Sequence, residues 1–101
     1  MTAAELAHSA ATDPEPPAGL TAAVRALWFA KAGRWDAAHD LCQKVPASAG
    51  SWIHAYLHRE EGDECNARYW YSRAGRSMVP QSVSLAQEWL EIAGALLGDD
   101  G

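Results

Sequence analysis

Two glycines placed 29 residues apart, Gly33 and Gly62, most constrain how this chain can fold. Each follows a stretch in which apolar residues recur every three or four positions, and each is followed five residues later by an alanine, Ala38 or Ala67. This apolar spacing predicts amphipathic helices, and a glycine at a helix end permits the left-handed backbone that reverses the chain. A small residue lets two helices approach closely. The pattern therefore predicts two helical hairpins in tandem.

The first predicted hairpin consists of helices A and B. Helix A begins after Thr21, whose hydroxyl can cap it, and ends at Gly33. Helix B starts directly after the turn and ends near Lys44, because Pro46 follows. Helix B carries Trp35 near its start, and we expect this ring to cover the open end of the pair.

The second predicted hairpin consists of helices C and D. Helix C covers about residues 51–61, with Ser51 as its cap, and helix D extends from the predicted cap Asp63 to Gly75. A fifth helix, E, starts near Ser82 and carries a broad apolar stripe. We expect helix E to cap the exposed apolar end of the second hairpin. The predicted fold class is all-α with about five helices.

Three resemblances accompany this pattern. The segment Gly-Arg-Trp-Asp-Ala-Ala at residues 33–38 resembles the turn of a tetratricopeptide (TPR) helical hairpin. Helix D, with Asp63, Ala67, the Trp70-Tyr71 pair and Ala74 at matching intervals, resembles the second helix of a Sel1-type repeat. Residues 52–75 also resemble a block in a family of small bacterial and fungal proteins, which implies membership of that family and no activity. By analogy at the level of the fold, these resemblances favour a protein-binding module.

The two ends of the chain differ in composition from its middle. Residues 1–19 are rich in Ala, Thr and Pro, and three prolines close together cannot continue a helix, so we predict a disordered N-terminal tail in which Ala3 to Ser9 can form a short frayed helix. The helical-repeat domain is predicted over residues 20–98 and an acidic tail over residues 99–101. A chain of 101 residues can bury one hydrophobic core, which indicates a single domain.

Charge and hydropathy argue against nucleic-acid and membrane partners. The chain has 13 acidic and 8 basic residues, and the bases are scattered rather than clustered into a surface that follows phosphates. No apolar run approaches the roughly 20 residues of a membrane span, and the N-terminus lacks a signal-peptide pattern. We therefore expect a cytoplasmic protein. In that reducing compartment, Cys42 and Cys65 are expected to be buried thiols rather than a disulfide.

Four side chains on helices B and C have the spacing of a metal site. His39 and Cys42 lie three residues apart, and His54 and His58 lie four apart, so each pair shares one face of its helix. Two neighbouring helices could therefore offer nitrogen and sulfur ligands to a zinc-like ion in tetrahedral geometry. The alternative is packing, because Cys42 also fits the apolar stripe of helix B. No other cofactor is expected.

A second candidate site is a polar pocket centred on His54, His58 and Glu61. A histidine beside a carboxylate is the minimum for general acid–base catalysis, which makes these three the candidate catalytic residues. The same groups can instead satisfy one another's hydrogen bonds in a packed interior. No nucleophile motif or phosphate-binding loop is present in the sequence, which favours a function other than catalysis. The candidate binding residues are Asn66, Tyr69 and Arg73, of which the arginine could hold an anionic group.

The aromatic and basic residues of helices C and D also have packing explanations. Trp70 and Tyr71 are predicted to lie in the core, whereas Tyr69 is predicted to reach the surface beside Arg73. The arginines of this region, Arg59 among them, alternate with acidic residues. We therefore expect local ion pairs on a solvated face.

The sequence leaves three functions open. We expect an interaction module that binds a protein or peptide through the face of helices B to D, since five tryptophans exceed what a core of this size needs. The alternative is a small enzyme or metal-binding protein that uses the pocket around His54, His58 and Glu61. The third is a homodimer formed through helix E, which would protect Trp89. Convergence of His39, Cys42, His54 and His58 beside open volume would favour the second function, whereas their convergence in a packed interior would favour a hydrogen-bond network.

Overall fold

The computed structural model describes residues 1–98 and folds them into six α-helices, with no strand in that part of the chain. The helices are α1 (Ala3–Thr12), α2 (Ala22–Lys31), α3 (Trp35–Cys42), α4 (Ala47–Glu60), α5 (Glu64–Arg73) and α6 (Leu85–Leu97). The all-α prediction is confirmed, and the predicted count of about five helices is wrong by one. None of the described helices has the length and apolar character needed to cross a membrane. The acidic tail predicted for residues 99–101 lies outside the described residues.

The additional helix is α1, which forms within the segment predicted to be a disordered tail. Thr2 and Glu5 make a capping box, in which each side chain accepts a hydrogen bond from the other residue's backbone N–H, at 3.1 and 2.8 Å. Leu6 is fully buried, and the hydroxyl of Ser9 accepts a hydrogen bond from the Trp28 indole at 3.0 Å. Helix α1 thereby packs against α2 and α6. The short frayed helix expected over Ala3 to Ser9 is thus an ordered helix that extends to Thr12, and the proline-rich stretch begins only after it has ended.

Helices α2 and α4 form the centre of the fold. Helix α2 packs against α1, α3, α4 and α6, and α4 packs against α2, α3, α5 and α6. Their inward faces supply many of the buried side chains, including Leu27, Trp28, Ile53 and Leu57. Burial of an aliphatic side chain of this size contributes about 1.5–3 kcal/mol relative to leaving it exposed. The core therefore lies around these two helices, with α3 packed on α2 and α5 packed on α4.

The chain reverses between the paired helices at the two predicted glycines. Gly33 and Gly62 have φ angles of +81° and +87°, in the left-handed region that residues other than glycine rarely adopt. Ala38 and Ala67, five residues after these turns, are fully buried. The carboxylate of Asp63 caps α5, as predicted, by accepting the N–H of the third helical residue.

Helix α4 begins one turn earlier than the sequence predicts. Its N-cap is Pro46, whose fixed φ suits the start of a helix, so Ser51 lies inside the helix rather than at its cap. Gly50 is buried in this first part of the helix, and a Cβ at that position would overlap the carbonyl oxygens of Cys42 and Val45. The missing side chain therefore allows α4 to approach the end of α3 closely.

Helix α6 lies across α2 and α4 and also contacts α1. The sequence placed this helix at the end of the second hairpin, whereas in the structure it covers the first helix of both pairs. Ser84 caps it by accepting a hydrogen bond from the N–H of Gln87 at 3.0 Å. Trp89 is fully buried, and its indole donates to the carbonyl of Leu27 at 2.9 Å. The burial of Trp89 is thus complete within one chain, and homodimerisation through α6 stays a prediction.

Glu88 on α6 is a fully buried carboxylate on which donors from α4 and α5 converge. It accepts hydrogen bonds from Arg59 at 2.9 Å, from the Trp52 indole at 3.3 Å and from the Tyr71 hydroxyl at 2.5 Å. Burial and the hydrogen bond to this carboxylate raise the pKa of the Tyr71 hydroxyl. Arg59 also donates to the carbonyl of Val83. The prediction that Arg59 forms local ion pairs on a solvated face is wrong, because its carboxylate partner is buried and distant in the sequence.

Candidate functional site

Three histidines meet where α3 packs against α4. His39 lies on α3, and His54 and His58 lie one turn apart on α4. One ring nitrogen of each lies within 4.8 Å of the others. The Nε2 atoms of His39 and His54 are 2.9 Å apart. The three predicted histidine ligands therefore converge in space.

Cys42 is the fourth predicted metal ligand. Among residues 1–98, its Sγ does not lie close enough to the ring nitrogens of the three histidines to hold a metal ion with them. Its Sγ donates to the backbone carbonyl of His39 at 3.2 Å. Burial and the nearby Asp40 carboxylate raise the pKa of the Cys42 thiol to about 12, so in the metal-free protein this thiol is protonated near neutral pH. Both cysteines are free, but Cys65 is exposed, so the prediction of burial is wrong for that residue.

Two indole rings hold the imidazoles in place. Trp35 stacks on His39 with ring centres 4.7 Å apart and planes 13° apart, and Trp70 stacks on His54 at 3.8 Å and 10°. The Trp35 N–H donates to a backbone carbonyl of α4 at 2.9 Å, which ties this ring to the neighbouring helix pair. The rings of His54 and His58 also stack, with centres 5.0 Å apart. Helices α3, α4 and α5 thus all contribute to the position of the histidines.

Hydrogen bonds assign the protons on the ring nitrogens. The side-chain amide of Gln43 donates to Nδ1 of His39 at 3.1 Å, so we assign the His39 proton to Nε2, from which it is donated to His54. An acceptor nitrogen requires His54 to be neutral. Burial and the neighbouring His39 and His58 rings lower the pKa of His54 from 6.5 to about 4. His54 is therefore neutral at pH 7, which is the form of imidazole that binds metal ions.

Glu61 orients His58. One oxygen of its carboxylate lies 2.6 Å from Nδ1 of His58. A histidine that donates one ring N–H to a carboxylate is held in one tautomer, with its other nitrogen available to a metal. Asp63 also lies close enough to His58 and Glu61 to form a second group with ligand spacing. The Asp63 carboxylate accepts hydrogen bonds from the backbone N–H and the side-chain amide of Asn66. Asn66, a candidate binding residue, therefore belongs to the N-terminal cap of α5.

A cleft of about 260 Å³ opens beside His54. Trp70 and Arg73 also line it, and the guanidinium of Arg73 lies 5.6 Å from the centre of the Trp70 ring. Arg73 donates to the hydroxyl of Tyr69 at 3.3 Å, and Tyr69 is 53% exposed, as the sequence predicts. Tyr71 is buried and Trp70 is half-buried. The other lining residues are Cys42, Gln43, Val45, Gly50 and Ser51.

Sequence reasoning missed the roles of Gln43, Trp35 and Trp70 at this site. Gln43 follows His39 by four residues, and this helical spacing was an available signal for their hydrogen bond. The contact between Trp70 and His54 joins two helices, and nothing in the local sequence of either helix indicates it.

The arrangement is close to the geometry of a three-histidine metal site. Zinc–nitrogen distances of about 2.0–2.1 Å in a tetrahedron place ligand nitrogens about 3.4 Å apart. The three ligand nitrogens lie within 4.8 Å of one another, and the Nε2 atoms of His39 and His54 are 2.9 Å apart, so the rings would have to shift to hold an ion. Three imidazoles would leave one position of the tetrahedron open to another ligand.

Comparison of the chain with protein-family models, with curated proteins and with solved structures found no match. The function is therefore inferred from the residues of the chain itself.

Proposed function

We propose that this protein binds a divalent transition-metal ion, with zinc as the expected ion, through His39, His54 and His58. The observation that carries the proposal is the convergence of one nitrogen from each histidine within 4.8 Å. Imidazole nitrogen is a preferred ligand of zinc and of other transition metals late in the first row. Of the three histidines, His54 lines the 260 Å³ cleft.

The protonation of the site bears on the same function. His54 has a pKa of about 4, so a metal ion at neutral pH displaces no proton from it, whereas His39 would have to move its Nε2 proton to Nδ1 before Nε2 could bind the ion. Glu61 holds His58 through a hydrogen bond of 2.6 Å, and such a carboxylate makes the imidazole a more basic ligand. Glu61 therefore acts as an orienting residue and not as a ligand.

A metal ion at this position would join two parts of the fold. In this proposal α2–α3 and α4–α5 are two TPR-like hairpins, with His39 on the first and His54 and His58 on the second. Because the ion would bind only when both hairpins are packed together, it would stabilise the folded chain. The proposal includes a cytoplasmic location, where both cysteines stay as free thiols.

Calorimetric titration of tag-free, metal-free protein with zinc tests this function. The wild type is expected to bind one equivalent. Glu61→Gln is expected to weaken zinc binding roughly 10–100-fold, because His58 loses its orienting carboxylate, and His54→Ala is expected to weaken it further. Cys42→Ala is the matched control, since its Sγ lies outside the group of ligand nitrogens and its loss should leave the affinity unchanged.

Two results would contradict the proposal. One is the absence of saturable zinc binding by the wild type. The other is an equal loss of affinity in Cys42→Ala and His54→Ala, which would point to a general effect on folding. Far-UV circular dichroism of each variant separates loss of a ligand from loss of structure.

Recognition of a protein or peptide through the face of α3 to α5 is a second candidate function. One observation favours it: Tyr69 is 53% exposed and its hydroxyl accepts from Arg73 beside the cleft. Tyrosine and arginine are enriched among the residues that dominate protein interfaces. Pull-down with the wild type and with Tyr69→Ala and Arg73→Ala tests this function, with Arg68→Ala as the control. Undiminished capture by the first two variants would contradict it.

A further inference from the structure

We infer that the cleft beside His54 binds a small carboxylate, which is held by the guanidinium of Arg73 next to the metal ion. The inference rests on the proposed metal site and adds the chemical class of a second ligand. It combines the charge of Arg73, the shape of the cleft and the position of the histidines.

Arg73 has no carboxylate partner among residues 1–98. The ion pairs in that part of the chain are His58–Glu61 and Arg59–Glu88, neither of which involves Arg73. The hydrogen-bond partner of its guanidinium is the hydroxyl of Tyr69, at 3.3 Å. A guanidinium carries five N–H donors, so most of them are available to an incoming anion.

The Trp70 ring places this guanidinium near the metal site. One contact of the indole is the stacked His54 ring, 3.8 Å away, and another is the Arg73 guanidinium, 5.6 Å from the ring centre. Arg73 and His54 also line the same cleft. An anion held by Arg73 would therefore share this cleft with His54, one of the three proposed ligands.

The residues that line the cleft favour a carboxylate with an apolar group attached. Among residues 1–98, the lining of the cleft includes no aspartate or glutamate, whereas the 450 Å³ cleft beside Trp52 contains Glu88 and Glu91. The planar fork of arginine matches a carboxylate through two parallel hydrogen bonds. The volume of 260 Å³ and the apolar surfaces of Val45 and Trp70 suit a compact apolar group attached to that carboxylate. Benzoate has this chemistry and is a suitable probe.

Titration of the zinc-loaded protein with benzoate, followed by the chemical shifts of the tryptophan indole N–H groups, tests the inference. Saturable shifts are expected. Arg73→Gln is expected to weaken benzoate binding by about tenfold or more, because hydrogen bonds to a charged group are lost. Arg68→Gln removes the same charge from an exposed position on the same helix and should change the affinity by less than about twofold.

Two further titrations test the chemical class of the ligand and the dependence of its binding on the metal ion. Inorganic phosphate is expected to bind more weakly than benzoate, and tighter binding of phosphate would overturn the assignment of a carboxylate. Metal-free protein is expected to bind benzoate more weakly than zinc-loaded protein, because a nearby cation and anion strengthen each other's binding reciprocally.

The same samples separate failure of the carboxylate site from failure of the metal site. Zinc binding without saturable benzoate shifts, or with equal weakening by Arg73→Gln and Arg68→Gln, would overturn the carboxylate site and leave the metal site standing. Absence of zinc binding would overturn both.

Discussion

The substitution Glu88→Ala tests whether the buried carboxylate on α6 holds this helix to α4 and α5. Glu88 is fully buried and accepts hydrogen bonds from Arg59, Trp52 and Tyr71 at 2.9, 3.3 and 2.5 Å. Alanine would leave these three donors without that acceptor. The side chain of Arg59 is only 14% exposed, so its charge would remain largely buried.

The structure sets the size of the expected loss. Removing one partner of a buried ion pair costs about 3–5 kcal/mol, because the remaining charge has no compensation. Each neutral donor left unsatisfied in the interior costs roughly 1–3 kcal/mol. Trp52 and Glu88 line a cleft of about 450 Å³, from which water can reach the vacated position and replace part of the lost hydrogen bonding. We therefore expect a total loss of about 3–5 kcal/mol in the free energy of unfolding, a large part of the 5–15 kcal/mol typical of a domain.

Urea unfolding followed by far-UV circular dichroism measures this loss. Glu91→Ala is the matched control, because Glu91 is an exposed glutamate on the same helix, and its replacement should change the free energy of unfolding by less than about 0.5 kcal/mol. A Glu88→Ala variant within about 1 kcal/mol of the Glu91→Ala control would refute the reasoning. The Glu88 network would then contribute little to the attachment of α6.

Two further predictions concern the interface of α3 and α4. In the metal-free protein the free energy of unfolding should fall as the pH is lowered from 6.5 towards 4, because the unfolded chain protonates His54 in that range and the folded chain does not. This fall is at most about 3 kcal/mol. It should be smaller in His54→Gln and unchanged in the exposed control His8→Gln. The same pH dependence in the wild type and both variants would contradict the low pKa of His54. Gly50→Ala should lower the free energy of unfolding by about 1–3 kcal/mol, because the new Cβ overlaps carbonyl oxygens at the end of α3. Chemical denaturation of Gly50→Ala beside the exposed control Ser48→Ala measures this effect, and equal stability would show that α4 can move away from α3.

The helical turns could be predicted because their signals are local. Gly33 and Gly62 end their helices in the left-handed conformation that their positions suggested, and Asp63 caps the next helix. The start of α4 was misplaced because Ser51 is a conventional cap residue, whereas the actual cap, Pro46, makes no side-chain hydrogen bond. Local propensity therefore predicted the presence of a helix better than its first residue.

The candidate site was predictable only where its residues share a helix. The four-residue spacing of His54 and His58 places them on one face, but the equally regular spacing of Cys42 from His39 brings the thiol to a backbone carbonyl. That hydrogen bond lies within α3, but whether Cys42 can reach the histidines of α4 depends on how the two helices pack, which the sequence of either helix does not specify. The contact of Trp70 with His54 depends in the same way on the packing of α4 against α5.

The burial of Glu88 could be predicted from the sequence, but its hydrogen-bond partners could not. Glu88 occupies the apolar stripe of α6 beside Trp89 and Ile92, and a carboxylate at a core position indicates a buried partner. Its partners Arg59 and Tyr71 lie on α4 and α5. Only the tertiary arrangement identifies them.

The zinc content of tag-free protein after equilibrium dialysis tests the histidine site most directly. Elemental analysis should find about one equivalent of zinc per chain in the wild type, and almost none in a variant in which His39, His54 and His58 are all replaced by alanine. Less than about one-tenth of an equivalent in the wild type, or the same content in the triple variant, would contradict a three-histidine metal site.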